Sequence, residues 1–364
     1  MKKIMILANH VLGLYSFRRE LIIELLNKNF EVILSAPYDD KITYFTGLGC
    51  IFIETPVDRR GVNIKNDVKL LIKYWKMIKI HQPSVVLTYT IKPNIYGGIV
   101  CGLNNIPYIT NITGLGSAVE NKSLLKRITI NLYRIGLRKS KRVLFQNNGN
   151  MKFMHSHRIA LKNSLLIPGS GVNLNHYKLL EYPNDRVINF LFISRIMKEK
   201  GIEQYLETAK FIKSKYPNTN FHVLGNCNDN YINKLKEYED KGFIKYHGRQ
   251  DDVREFHKIS HCTIHPSYYP EGMSNVLLES AACGRPIITT NRCGCKEVVD
   301  DGINGYLVEQ KNTQDLIEKV ERFINLDNEA RKQMGLAGRK KVEREFDRKI
   351  VVGAYLEEIK GVVG

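Results

Sequence analysis

Short apolar, β-branched runs recur along the first half of the chain, at 4–8, 31–36, 50–54, 85–89, 108–112, 142–146 and 165–168. Stretches of helical period separate them, among them 17–28, 67–81 and 123–139. Runs that are short and apolar throughout predict strands covered on both faces. Alternation of such strands with helices predicts right-handed crossovers and a parallel, doubly wound sheet. Pro168-Gly169-Ser170-Gly171 is the best linker in the chain, and beyond it a second series begins with 190–194, 221–224, 262–265, 286–290 and 305–308. The expected organisation is two units, 1–168 and 169–345, with a terminal helix at 346–364 that packs back on the first. A length of 364 residues suits it. In sheets of this kind ligands bind beyond the carboxyl ends of the strands, so the loops there carry the chemistry.

Charge sharpens this picture. The formal net charge is +18, and its excess lies in one half: residues 1–168 hold 25 Lys and Arg against 9 Asp and Glu, and residues 169–364 hold 30 against 28. The first half is therefore either simply a soluble basic surface or meets something anionic: nucleic acid, anionic lipid or a pyrophosphate-bearing molecule. No zinc pattern, RNP-like aromatic motif or helix-turn-helix spacing supports nucleic acid. Residues 122–142 contain Lys122, Lys126, Arg127, Arg134, Arg138, Lys139, Lys141 and Arg142 without an acid, interleaved with apolar residues. Such a helix lies on an anionic membrane or packs its apolar side on the sheet, and the missing acids favour the membrane. No run approaches the roughly 20 apolar residues that span a bilayer, so the expected contact is peripheral, at the inner face of the membrane of a cytoplasmic protein. Seven scattered cysteines read as reduced thiols, and Cys293 and Cys295 lack partners for a metal site.

Candidate chemistry concentrates at 270–279, Pro-Glu-Gly-Met-Ser-Asn-Val-Leu-Leu-Glu. A Pro/Gly turn opening a helix would offer the amides of Gly272, Met273, Ser274 and Asn275 and a positive dipole end to an anion. Glu271 would face the group attached to that anion. Glu279, about 12 Å further along a helix, suits the other end of a nucleotide-sized ligand. After the first strand of the second series stand Arg195 and Lys200, a fork and a point charge able to clamp a pyrophosphate. Gly225 and the His247-Gly248-Arg249 turn offer backbone to a base edge.

In the first half, the loop after the first strand holds His10, a base, a hydrogen-bond donor or a structural residue, and Gly13. Arg18 and Arg19 either form a solvated helix start or oppose the helix dipole until an anionic partner arrives. Lys92 precedes Pro93, which marks the first turn of a helix. Thr113-Gly114-Leu115-Gly116-Ser117 is either an ordinary turn or a close backbone approach to ligand.

Arg195 with Lys200-Gly201, Pro270-Glu271-Gly272 with Glu279, Gly284-Arg285-Pro286, and Asp301-Gly302 with Asn304-Gly305 resemble the retaining glycosyltransferases of family four, over essentially the whole chain. Lys92-Pro93-Asn94 and residues 111–116 are similar to a bacterial branch that builds capsule, O-antigen or N-glycan precursors on polyprenyl diphosphate. The resemblance implies the GT-B fold, an α/β arrangement of two doubly wound, Rossmann-like domains facing across a cleft, the first for acceptor and the second for nucleotide sugar. It implies a UDP-sugar donor, a polyprenyl-diphosphate-linked saccharide acceptor and no metal. Glu271 would hold the sugar hydroxyls, Glu279 the ribose, and Arg195 with Lys200 the diphosphate. His10, Gly13, Arg18, Lys92, Thr113 and Gly114 would serve the acceptor side. Two departures stand out: only Gly13 follows the first strand where the family commonly has a Gly-Gly pair, and Gly171-Val172-Asn173 replaces Gly-Val-Asp. The competing readings are a UDP-sugar 2-epimerase or hydrolase of the same fold and a non-catalytic anion- or lipid-binding protein.

Overall fold

Among the described residues the twelve apolar runs form strands of two parallel sheets, and a short edge strand makes a thirteenth. The computed structural model describes residues 1–58, 63–116, 124–184, 186–227 and 229–363. Ser117, Lys122 and Ser123, which belong to stretches singled out in the sequence, lie outside them.

The first sheet contains β1 (Lys3–Leu7), β2 (Glu31–Ala36), β3 (Ile51–Glu54), β4 (Val85–Tyr89), β5 (Tyr108–Ile112), β6 (Arg142–Phe145) and β7 (Ser164–Leu166), in the order β3-β2-β1-β4-β5-β6-β7. Alternate residues of β1 face opposite layers, as the two-residue period of a strand requires. Ile4 and Ile6 join a core with Val11, Leu14, Leu21, Ile22, Val351 and Tyr355. Met5 and Leu7 join Leu70, Tyr74, Met77, Ile78 and Val100 on the other side. The helices Ile64–His81, Gly98–Leu103 and Leu124–Leu137 share that second side, with the π-helical turn Pro93–Gly97 between them.

The second sheet contains β8 (Ile188–Ile193), β9 (Thr219–Leu224), β10 (Lys245–Tyr246), β11 (Cys262–His265), β12 (Ile287–Thr290) and β13 (Gly305–Val308), in the order β10-β9-β8-β11-β12-β13. Its core is aromatic around Phe190, Phe192, Tyr205 and Phe221, with the Phe190 and Phe221 rings stacked 4.9 Å apart. The edge strand β10 has two residues, too few for periodicity to reveal.

Two compact units result. The first comprises Met1–Gly171, Pro270–Met273 and Arg348–Gly364, the second Val172–Tyr269 and Ser274–Asp347. The chain thus enters the first unit three times. In its last passage, Val351, Val352, Tyr355 and Ile359 complete the core around β1 and β2. Arg348 begins that helix and ties it down, bonding to the Gly171 and Ser16 carbonyls and the Glu20 carboxylate.

One expected helix is preceded by another. The stretch 17–28 forms Arg19–Asn27, and a helix Val11–Phe17 stands before it where a loop was expected, the two separated where Arg18 leaves helical geometry at φ −132°, ψ 2°. The earlier helix starts where the His10 ring caps it, accepting the Gly13 N–H at Nδ1 over 2.7 Å.

Candidate functional site

In the second unit the site is built on the loop after β8. Its single 3-10 turn, Lys198–Lys200, ends at Gly201, whose φ of 78° permits the reversal into the helix Ile202–Lys215. A Cβ there would stand 2.2 Å from the Pro266 carbonyl oxygen, so glycine lets this loop close on the end of β11. The Tyr268 N–H completes the closure by donating to the Glu199 carbonyl at 2.9 Å. Arg195 and Lys200 are thereby brought to one ring. The Arg195 guanidinium lies 5.4 Å and the Lys200 ammonium 5.1 Å from the centroid of Tyr269. Two like charges are held against one aromatic ring, whose quadrupole favours them. Arg195 is exposed and Lys200 buried. Sequence reasoning missed Tyr269, although two consecutive tyrosines before the Pro-Glu turn were a visible signal.

The helix carrying Glu279 runs Asn275–Ala282, with Ser274 as its N-cap. This corrects the expected start at Gly272. Gly272 and Met273 lie in a strap outside the helix, and the Ser274 N–H donates to the Gly294 carbonyl at 2.8 Å. Gly294 is in turn fixed by its own N–H, which donates to Glu297 at 2.7 Å. Helical amides open to an anion therefore begin at Asn275. Glu279 lies one turn into the helix and not two, because its first turn was misplaced. Beneath the N-cap, buried His265 contacts the Ser274 hydroxyl, Nε2 to Oγ, at 3.3 Å. Gly225 packs against the same β8 loop, and a Cβ there would meet the Ser194 carbonyl oxygen at 1.6 Å. Its N–H donates to Gly248, and its carbonyl accepts the Tyr246 hydroxyl. Arg249 is exposed, with Asp251 at 3.4 Å.

The first unit holds the strap Pro270–Met273, which carries Glu271. The Asn147 amide donates to the Glu271 carbonyl at 3.1 Å and also to that of Gly272, and Asn150 adds a bond to Glu271 at 3.3 Å. Gly272 has no room for a side chain: a Cβ would meet Gln146 Oε1 and the Thr113 carbonyl oxygen, each at 2.4 Å. Gly114, at φ 141°, lies against the Gly272 amide. Thr113 and Gly114, expected on the acceptor side, thus also form the seat of the strap that presents Glu271. Gln146, Asn147 and Asn150 were missed, because an Asn-rich helix start looks like capping. Asn147 does cap the helix Asn148–Ser156 with its side-chain oxygen, which aims its amide at the strap.

Three cationic or basic candidates acquire definite surroundings. His10 uses Nδ1 as a helix cap, so its ring proton belongs on Nε2 and the group is set as a donor. Arg18 is 4% exposed, with its guanidinium 4.9 Å from the Tyr89 ring and 5.8 Å from that of Tyr355. The expectation of a solvated helix start is thereby corrected: aromatic faces, not solvent, surround this charge. Burial raises the Tyr89 and Tyr355 phenols above their ordinary range, so both rings stay neutral. Lys92 is partly buried and paired with Asp67 at 2.6 Å, while Tyr96 donates to the other oxygen of that carboxylate at 2.9 Å. Its charge is already matched within the first unit.

The family model for glycosyl transferases group 1 matches residues 178–341, and that for glycosyl transferase 4-like domains matches residues 3–147. Between them they take in every described strand but β7, and the chain belongs to the family-four glycosyltransferases. Among relatives, the N,N'-diacetylbacillosaminyl-diphospho-undecaprenol alpha-1,3-N-acetylgalactosaminyltransferase of Campylobacter jejuni is 26% identical, with 95% of each chain covered. The UDP-Gal:alpha-D-GlcNAc-diphosphoundecaprenol alpha-1,3-galactosyltransferase of Escherichia coli is 22% identical over 82% of this chain and 79% of its own. A glycosyltransferase from Rickettsia africae superposes with a TM-score of 0.83 at 20% identity, covering 100% of this chain and 98% of its own. The fold is GT-B and the protein is a glycosyltransferase.

Proposed function

We propose that the protein transfers a sugar of the N-acetylhexosamine type, with retention of configuration, from a UDP-sugar to a saccharide linked to polyprenyl diphosphate. The observation that carries this reading is the convergence of Arg195 and Lys200 on Tyr269, directly before the segment bearing Glu271. Two cations gathered at one ring match a diphosphate leaving group. The names of both enzyme relatives, with their diphospho-undecaprenol acceptors, support the choice of acceptor, and the UDP-Gal of one supports the donor.

Arg195 and Lys200 hold the diphosphate and take up its growing charge as the bond from the anomeric carbon to the phosphate oxygen breaks. Glu271 holds sugar hydroxyls, Glu279 the ribose, and the amides from Asn275 onward assist the phosphate. The acceptor hydroxyl bonds to the anomeric carbon on the face the leaving group vacates, and its proton passes to the departing phosphate. Charge is neutralised by side chains, without a divalent metal. His10, Arg18, Lys92, Thr113 and Gly114 belong to the acceptor side, His10 as a donor and Arg18 and Lys92 from behind the surface. The basic helix Leu124–Leu137 provides peripheral contact with an anionic inner membrane face: Ile130, Tyr133 and Leu137 go to the core, while Leu124, Ile128 and Ile135 stay exposed beside Arg127, Arg134 and Arg138.

A panel of UDP-sugars tests the donor assignment by thermal stabilisation and slow hydrolysis. A ligand at a hundredfold its Kd should add about 2.7 kcal/mol of stability. If no UDP-sugar raises the melting temperature, the assignment fails. Arg195→Ala and Lys200→Ala should each lower kcat roughly 10²–10³-fold while the melting temperature of the free protein barely moves. Equal loss of fold and turnover would make the pair structural.

A further inference from the structure

The helix Ile64–His81 has three faces. Leu70, Tyr74, Met77 and Ile78 are buried against the sheet. Ile64, Val68, Ile72 and Trp75 are exposed, Ile64 by 78% and Trp75 by 45%. At about 100° per residue these four fall in one stripe roughly 80° wide. Beside that stripe, away from the buried face, run Lys65, Lys69 and Lys76, all exposed, with Lys79 at its carboxyl-terminal end. Asp67 is the one acid of the helix and is committed to Lys92 and Tyr96. Core packing explains the buried face and solubility explains the lysines, but neither explains five large apolar side chains in water, these four and Ile80 beyond the stripe on the lysine flank.

The helix Leu124–Leu137 repeats this pattern, with a buried face, an exposed stripe of Leu124, Ile128 and Ile135, and arginines at its border. Both helices lie on the same side of the first sheet, flanking Pro93–Gly97 and Gly98–Leu103.

We propose that the outer stripe of Ile64–His81 is a membrane-docking surface, in which Trp75, Ile72, Val68 and Ile64 enter the headgroup region of an anionic bilayer and Lys65, Lys69, Lys76 and Lys79 bind lipid phosphates. This deepens the lipid-linked acceptor reading and rests on it. The occupant follows from charge. A second copy of the chain would set lysine flank against lysine flank across a two-fold contact, which like-charge repulsion opposes. A bilayer meets both needs, since aromatic rings favour the interface and cations the anionic surface. Two helices of one layer, each with an apolar stripe edged by cations, give the first unit two points of attachment, and attachment at two points fixes its orientation at the surface.

Trp75 is the single tryptophan of the chain, so its fluorescence reports on this stripe alone. The full-length protein is mixed with vesicles of equal parts phosphatidylglycerol and phosphatidylcholine, and with phosphatidylcholine vesicles alone. Trp75 emission should shift to the blue and be quenched by brominated acyl chains with the anionic vesicles only. In flotation, Val68→Ser/Ile72→Ser should bind at least tenfold more weakly, and Lys69→Gln/Lys76→Gln should lose most of its binding as salt rises to physiological strength. Both variants change exposed side chains, and melting temperature confirms their fold. UDP-driven thermal stabilisation should be unchanged in both, which separates this proposal from the donor assignment. Turnover of a short-chain, detergent-soluble diphosphate-linked acceptor separates it from the acceptor assignment. Flotation without a Trp75 shift, or unchanged binding by Val68→Ser/Ile72→Ser, overturns the proposal. A concentration-dependent blue shift without lipid also overturns it, because the stripe would then be a contact between copies.

Discussion

Tyr269 illustrates what a single residue contributes here. Its ring receives Arg195 and Lys200 from a loop that Gly201 allows to turn back on Pro266. Tyr269→Phe should retain donor affinity within about twofold, because the π-face survives. Tyr269→Ala should weaken UDP binding about tenfold, the loss expected for two cation–π contacts of about 0.5–1 kcal/mol each, as isothermal titration would show. Gly201→Ala combines a positive φ with a Cβ 2.2 Å from a carbonyl oxygen. It should cost about 2–4 kcal/mol by urea unfolding and take donor binding with it. The charged residues were legible in the sequence because a Lys or Arg after a strand is conspicuous. Their shared aromatic seat was not, because it joins residues distant along the chain.

At the scale of elements, the terminal helix Arg348–Val363 belongs to the first unit's core. Tyr355 accepts the Asn111 amide at 2.6 Å and offers its ring to Arg18. Tyr355→Ala should therefore destabilise the first unit by about 3–5 kcal/mol, against about 1–2 kcal/mol for Tyr355→Phe, which loses one buried hydrogen bond. Truncation after Asp347 should leave that unit unfolded, measured by circular dichroism and proteolysis. Strands were readable to within a residue or two at most ends, since apolar runs bounded by turns are local signals. The break at Arg18 was not, because periodicity continues through it and the burial of its guanidinium depends on Tyr89 and Tyr355.

For the whole molecule, His222 and His257, two of the buried histidines, contribute to the response to acid. His257 is pushed down to about 3 by burial and then by the nearby Arg285 charge. His222 is pushed down to about 4 by burial, then by His247 and Lys245; its Nδ1 stands 2.9 Å from His247 Nε2, with the rings stacked. In the unfolded chain both take a proton near pH 6.5, so below that pH the unfolded state binds protons that the folded state refuses. Stability is then lost as pH falls from about 6.5 through 4 for His222 and on to 3 for His257, and above 6.5 neither contributes a slope. Glu297, raised by burial, acts in the opposite sense. Urea unfolding should show a loss of a few kcal/mol between pH 7 and pH 4.5, falling on the second unit, which holds both histidines. His257→Asn should flatten that slope.

The sequence alone determined the two series of parallel strands, the asymmetry of charge, and Glu271, Glu279, Arg195 and Lys200 as the groups to test, because periodicity, composition and motif spacing are properties of neighbouring residues. The tertiary structure decided that the Glu271 strap returns to the first unit, that Lys92 is answered by Asp67, that Arg18 is buried, and that Ile64, Val68, Ile72 and Trp75 face outward. Burial and pairing depend on which distant residues the packed core brings together, and no local pattern records that.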